Sequence, residues 1–126
     1  MRIPTAVALG GALGAVARYL MVGRFEHWLG AGFPYGTLTA NVLGSLLMGM
    51  LIEVLALVWS PSPELRALLV VGLLGSFTTF SALSVETLLL FEAGAPGQAA
   101  LYAFASVLLS LLAIFAGMRL ARAALP

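Results

Sequence analysis

The sequence predicts an all-α, polytopic membrane protein with four transmembrane helices, the third of them broken. Three observations carry that prediction. The 126-residue chain is 62% hydrophobic and 9% charged, with a mean hydropathy of +1.10, far too apolar for a soluble domain of this size. Four apolar stretches, each of at least the about 20 residues that a helix needs to cross a hydrocarbon core, fit between its Pro, Gly and charge clusters. The third stretch contains GLLGSFTTFSALS, Gly72 to Ser84, in which a Leu and Val run gives way to Gly75, Ser76, Thr78 and Thr79 within five positions. Gly loses the most backbone freedom in a helix, Thr is stiff at its first side-chain torsion, and Ser and Thr hydroxyls compete for backbone partners, so the run favours a break. In hydrocarbon, unwound backbone survives only where protein or a water-filled cavity satisfies it, which makes a break at mid-depth a candidate ion or substrate site. The competing reading is a helix lightly kinked by Ser and Thr.

Each element follows from its own residues. The first helix is expected at about residues 3–23, where Gly10 and Gly14 are spaced as GxxxG and let helix backbones approach closely. Met1 to Gly23 has the length of a signal peptide, but Arg18 interrupts the end of its apolar region and the segment is read as a helix. Two readings of Arg18 are open: its guanidinium snorkels to the interface, or it lines a wet cavity. Residues 24–34 read as a loop, with Glu26, His27, Gly30, Gly32 and Pro34 breaking the pattern and Trp28 suited to the interface.

The second helix, about residues 35–59, carries Asn41 within GTLTANVLGSLLMG. An unpartnered amide costs about 2–7 kcal/mol in an apolar medium, so Asn41 faces another helix or water. Interhelical glue and a pathway role are both open. Ala40 and Gly44, and likewise Ser45 and Gly49, are four apart and offer faces for close packing. Glu53 reads as an exposed carboxylate that snorkels to the interface marked by Trp59. SPSP, Ser60 to Pro63, is a turn.

The third helix, about residues 64–91, begins with Glu64 at the positive end of its dipole and crosses as two half-helices. Glu86 lies in its second half, either at the mouth of a water-filled vestibule or approaching the interface. After the AGAP turn, the last helix is expected at about residues 97–118. Tyr102, Ser106 and Ser110 recur every four residues and share one face. The serines either bond back to the preceding turn or join a pathway; Tyr102 lacks the local option. Arg119 and Arg122 suit the negative C-terminal end of this helix.

Four spans put both termini and the SPSP turn on one side with Arg2, Arg66, Arg119 and Arg122, against Arg24, and Arg18 if it reaches the surface, on the other. That bias weakly favours cytoplasmic termini and leaves insertion both ways up open.

Composition also excludes function classes. Cys is absent, His27 is the only imidazole and Asp does not occur, which removes disulfides, thiolate or His-rich metal sites and Ser-His-Asp catalysis. No enzyme is expected. A net charge of +1 with no basic run leaves nothing to hold a nucleic acid. What the spans do contain is hydrogen-bond donors: the Asn41 amide, hydroxyls at Thr39, Thr78, Thr79, Ser81, Ser84, Ser106 and Ser110, and the Arg18 guanidinium. Such a set stabilises anions, whereas cation pathways favour rings of carboxylate or carbonyl oxygen. The positive edge of Phe77 or Phe80 is a further candidate contact, with core packing as the alternative for either ring. A chain this small does not easily enclose a pore alone, so a twofold oligomer is the economical solution, and carbonyls freed at the break would meet across its axis and suit a cation.

Four stretches together resemble the small fluoride channels of the Fluc or CrcB type: GGALGAVARY at Gly10 to Tyr19, GTLTANVLGSLLMG at Gly36 to Gly49, GLLGSFTTFSALS, and the Tyr102, Ser106, Ser110 face. The resemblance implies an antiparallel, dual-topology homodimer in the inner (plasma) membrane, with two fluoride pathways and a structural sodium ion on the dimer axis. It implies that the carbonyls of Gly75 and Thr78 hold the sodium and that Asn41 donates to fluoride. Phe80 would present its ring edge. Ser81, Tyr102, Ser106 and Ser110 would line the path, Arg18 would shape the entrance field, and Glu86 would sit along the conduction region. The implied role is passive fluoride exit, with fluoride and sodium ions, the lipid bilayer and a second copy as partners. One departure stands out: where similar proteins carry a second phenylalanine, this chain has Leu83, which has no positive ring edge. The alternative function is a small four-helix, proton-coupled drug or cation exporter, which needs a titrating embedded carboxylate that the first helix does not supply.

Overall fold

The computed structural model describes residues 2–126; Met1, where the signal-peptide reading begins, lies outside them. Helix α1 spans Ile3–Leu29, with Pro in its first turn, where a missing N–H costs nothing. It stops at Gly30, whose φ of 81° is open to Gly at little cost, and the Gly30 N–H closes the last turn on the Glu26 carbonyl at 2.8 Å. The loop expected from Arg24 onward is therefore corrected, because helix continues through Leu29. Arg24 and Glu26 are good helix formers, and charge marks the exit from the bilayer rather than the end of the helix. Phe25 and Trp28, one turn apart, stack at 5.9 Å on this extension.

Helix α2 spans Tyr35–Leu57 and is the most enclosed of the four. The third span, α3, covers Pro63–Glu92 in pieces. Ser62 opens it, its Oγ accepting the Leu65 N–H at 3.2 Å. After Pro63–Ala67 the helix widens into a π segment over Leu68–Leu74, tightens again over Gly75–Phe77, and then stops. Thr78 is extended (φ −87°, ψ 154°), and helix resumes over Ser81–Glu92. A true break, not a light kink, separates the two halves. Helix α4 spans Pro96–Ala124 and runs six residues beyond the expected end at Met118. Its extra turns carry Arg119 and Arg122, which are helix formers and suit the negative end of the dipole.

All four spans are long and apolar enough to cross a membrane, and the chain is a multi-pass membrane protein. The helices pair in parallel, α1 with the first half of α3 and α2 with α4. Gly10 and Gly14 make the first pair possible: both are buried, and a Cβ on either would run into the carbonyls of Leu68 or Leu73. In the second pair, Glu53 differs from expectation. Its carboxylate is 6% exposed, not snorkelling, and Arg122 Nε reaches it at 3.1 Å. The reason is the length of α4, whose added turn carries the guanidinium to a carboxylate on the facing side of α2.

Candidate ion pathway

The break is held in place by neighbouring helices. Asn41 on α2 makes two bonds to one residue: its Nδ2 donates to the Thr79 carbonyl at 3.0 Å, and its Oδ1 accepts the Thr79 N–H at 2.7 Å. One N–H of Nδ2 is left over. Interhelical glue is thus part of what Asn41 does. One turn further along α2, Gly44 gives the break room, since a Cβ there would meet Thr78 Cγ2 and the Phe77 ring. From α1, Arg18 Nε donates to the Ser76 carbonyl at 3.2 Å, so the half-buried guanidinium is tied to the break instead of reaching only for the interface. Thr79 Oγ1 accepts the Ala82 N–H at 3.1 Å and caps the second half-helix.

Between α2, the break and α4 lies a cavity of about 410 Å3. Asn41 and Ser45 line it from α2, Gly75, Thr78, Thr79, Phe80 and Leu83 from α3, and Ser106 and Ser110 from α4. Phe80 is 74% exposed, with the cavity on one side and the outer surface of the protomer on the other. Leu83, in the position noted for its missing ring, is buried in the wall. Among the described residues, Ser106 Oγ is buried with no hydrogen-bond partner.

A second polar cluster sits farther along the same helices. Glu86 accepts from Thr37 Oγ1 at 3.1 Å and from the Tyr102 hydroxyl at 3.4 Å. Both donors are fully enclosed, and the Phe33 ring packs edge-on against Tyr102 at 5.5 Å. Beyond it a cavity of about 440 Å3, lined by Glu26, Phe33, Pro34 and Glu86, opens toward the α1–α2 loop.

The structure therefore brings Asn41, Phe80, Ser106 and Ser110 into one cavity with Gly75 and Thr78. It puts Glu86 and Tyr102 in the neighbouring cluster, with Tyr102 one turn from Ser106 on α4. Arg18 and Ser81 stand outside both: Arg18 on the far side of the break, Ser81 against Thr79 Oγ1 at 3.3 Å. Thr37 and Ser45 were not expected at the site. Their signal was in the spacing, because Thr37, Asn41 and Ser45 recur every four residues along α2 as Tyr102, Ser106 and Ser110 do along α4. Two polar strips on parallel helices face each other.

The profile of the family described as "CrcB-like protein, Camphor Resistance (CrcB)" matches residues 5–118, which take in all four spans, the break and both strips. The chain belongs to the CrcB family. Curated CrcB-type relatives carry the name "Fluoride-specific ion channel FluC". The one from Rhodospirillum centenum is 55% identical over 124 residues, covering 98% of each chain. The relative from Chelativorans sp. is 51% identical over 119 residues, 94% of this chain and 95% of its own. A relative from Thermus thermophilus is 53% identical over 114 residues, 90% of this chain and 89% of its own.

Proposed function

We propose that this CrcB-family chain is a fluoride-selective channel that lets fluoride leave the cell passively across the inner membrane. The relatives' name gives the ion, and one observation in the site supports it best: the orphaned Ser106 hydroxyl beside a cavity that also receives an uncommitted Asn41 N–H. An unmade hydrogen bond at a buried hydroxyl costs about 1–3 kcal/mol, which a small anion accepting from Ser106 would recover. Asn41, Ser106 and Ser110 replace water around the ion, and Phe80 offers its positive edge. The path continues along α4 to Tyr102 and the Glu86 cavity. There the two hydroxyls on Glu86 spread its negative charge away from the anion. Arg18 contributes positive potential at the break.

Sodium fits the break. Among the described residues no three His, Asp or Glu side chains cluster as a metal site, so a resident cation depends on backbone oxygen, and a hard cation favours carbonyls. Gly75 and Thr78 lie where the helical ladder is interrupted, and their carbonyls would hold it. When bound, sodium supplies a fixed positive charge at mid-membrane that offsets the cost of an anion nearby.

A homodimer is supported by the same break. Gly75 is exposed and Phe80 nearly bare on a single copy. Lipid tails cannot bond interrupted backbone, so protein must cover it, and a second copy around a twofold axis does so most simply. The proton-coupled exporter is the weaker reading, because the embedded carboxylates are both committed, Glu53 to Arg122 and Glu86 to two hydroxyls.

Efflux from liposomes holding fluoride and chloride side by side, with and without a proton gradient, tests the reading. The expected result is rapid, voltage-driven fluoride efflux, indifferent to the gradient, with chloride retained. Absent efflux, equal chloride efflux or proton-coupled movement overturns it.

A further inference from the structure

We propose that Asn41 and Thr79 are positioning residues for the cation at the break, each diverting a backbone N–H from a carbonyl that the cation needs. This rests on the reading above that Gly75 and Thr78 hold sodium. In a continuous α-helix the N–H of residue 79 would bond the carbonyl of residue 75, and that of residue 82 the carbonyl of residue 78. Here the Thr79 N–H donates to Asn41 Oδ1 at 2.7 Å, and the Ala82 N–H donates to Thr79 Oγ1 at 3.1 Å. The two carbonyls that lose these donors belong to Gly75 and Thr78.

Neighbouring carbonyls are treated in the opposite way. That of Leu74 accepts both the N–H and the Oγ1 of Thr78 at 3.2 Å. That of Ser76 accepts from Arg18 Nε at 3.2 Å, and that of Thr79 from Asn41 Nδ2 at 3.0 Å. Side chains therefore sort the oxygens of the break, occupying those of Leu74, Ser76 and Thr79 and releasing those of Gly75 and Thr78. An extended Thr78 alone would not secure this outcome. A loose N–H inside a membrane takes the nearest acceptor, and without Asn41 and the Thr79 hydroxyl the nearest acceptors are these carbonyls. Asn41 uses its carbonyl and one amide hydrogen on Thr79 and so fixes that residue from both sides. Its remaining hydrogen is free for the anion, so one side chain serves both ions through different atoms.

The test is thermal unfolding of the purified protein in detergent across a sodium titration, with N-methylglucamine keeping ionic strength constant. A ligand that binds only the folded state raises the unfolding temperature with concentration. Asn41→Leu and Thr79→Val are expected to raise the sodium concentration for half-maximal stabilisation about tenfold, the scale of one hydrogen bond competing for a carbonyl. Thr79→Ser, which keeps the hydroxyl, is expected to match the wild type. Ser106→Ala, which touches only the anion side, is expected to leave the sodium midpoint unchanged while lowering fluoride flux. A wild-type protein with no sodium-dependent stabilisation would remove the cation reading itself. Stabilisation that survives unchanged in Thr79→Val would overturn the positioning role alone, and the Val and Ser pair decides the matter even if Asn41→Leu does not fold.

Discussion

Ser106 and Phe80 make opposite demands on their surroundings. Ser106 Oγ is buried without a partner, so removing it relieves a cost as well as deleting a donor. Ser106→Ala is expected to leave the unfolding temperature unchanged or slightly higher, yet to cut fluoride efflux from liposomes several-fold. A stable variant with normal efflux would place the anion elsewhere. Phe80, at 74% exposed, packs against little in one protomer, so Phe80→Leu should cost little fold stability and lower flux about tenfold if its ring edge faces the ion. Asn41→Leu should abolish flux, since it removes the anion donor and the Thr79 clamp together; flux near normal would exclude Asn41 from the route. Asn41 also shows what could be read in advance. A lone amide in an apolar run signals a buried polar contact, but nothing in the sequence says that its partner is the backbone of Thr79. Glu86 was legible as a carboxylate near a vestibule, whereas its bonds to Thr37 and Tyr102 depend on how three helices meet.

At the level of the helix, apolar length located all four spans, and the crowding of Gly, Ser and Thr located the break. Helix ends were less legible, because charged residues that leave the bilayer continue the helix until a stop such as Gly30. The same extension explains Glu53. Judged along α2 alone it is an acid near an interface; once α4 runs to Ala124, it is the buried partner of Arg122. The pair is lopsided, Glu53 being enclosed and the Arg122 side chain 69% exposed. Arg122→Ala leaves a buried carboxylate without its donor and is expected to destabilise the protein by about 1–3 kcal/mol. Glu53→Gln leaves only a solvated cation behind and should cost less. Unfolding temperatures of the two variants check the order, and equal losses would contradict it.

For the molecule as a whole, one protomer presents an unfinished object. Its buried set is small, running through Ala6, Ala40, Leu55, Leu74, Phe77, Leu83, Ala99 and Tyr102, while Val71, Phe80 and Phe104 face outward. Lipid suits those apolar rings but not the backbone beside Gly75, which is why the interface is expected there. The widened turn over Leu68–Leu74 bears on how that meeting surface is aimed. A π stretch behaves as an α-helix with surplus residues looped in, so it sets the rotational phase of everything after it. Deleting Val71 would let the stretch rewind and swing Ser76 to Phe80 around the axis by on the order of 100°. The shortened chain should still insert as four spans, but its oxygens and its ring would point at lipid, so sealed vesicles should hold their fluoride. One surplus residue, well away from any ion, would then be what keeps the centre of the assembly in register.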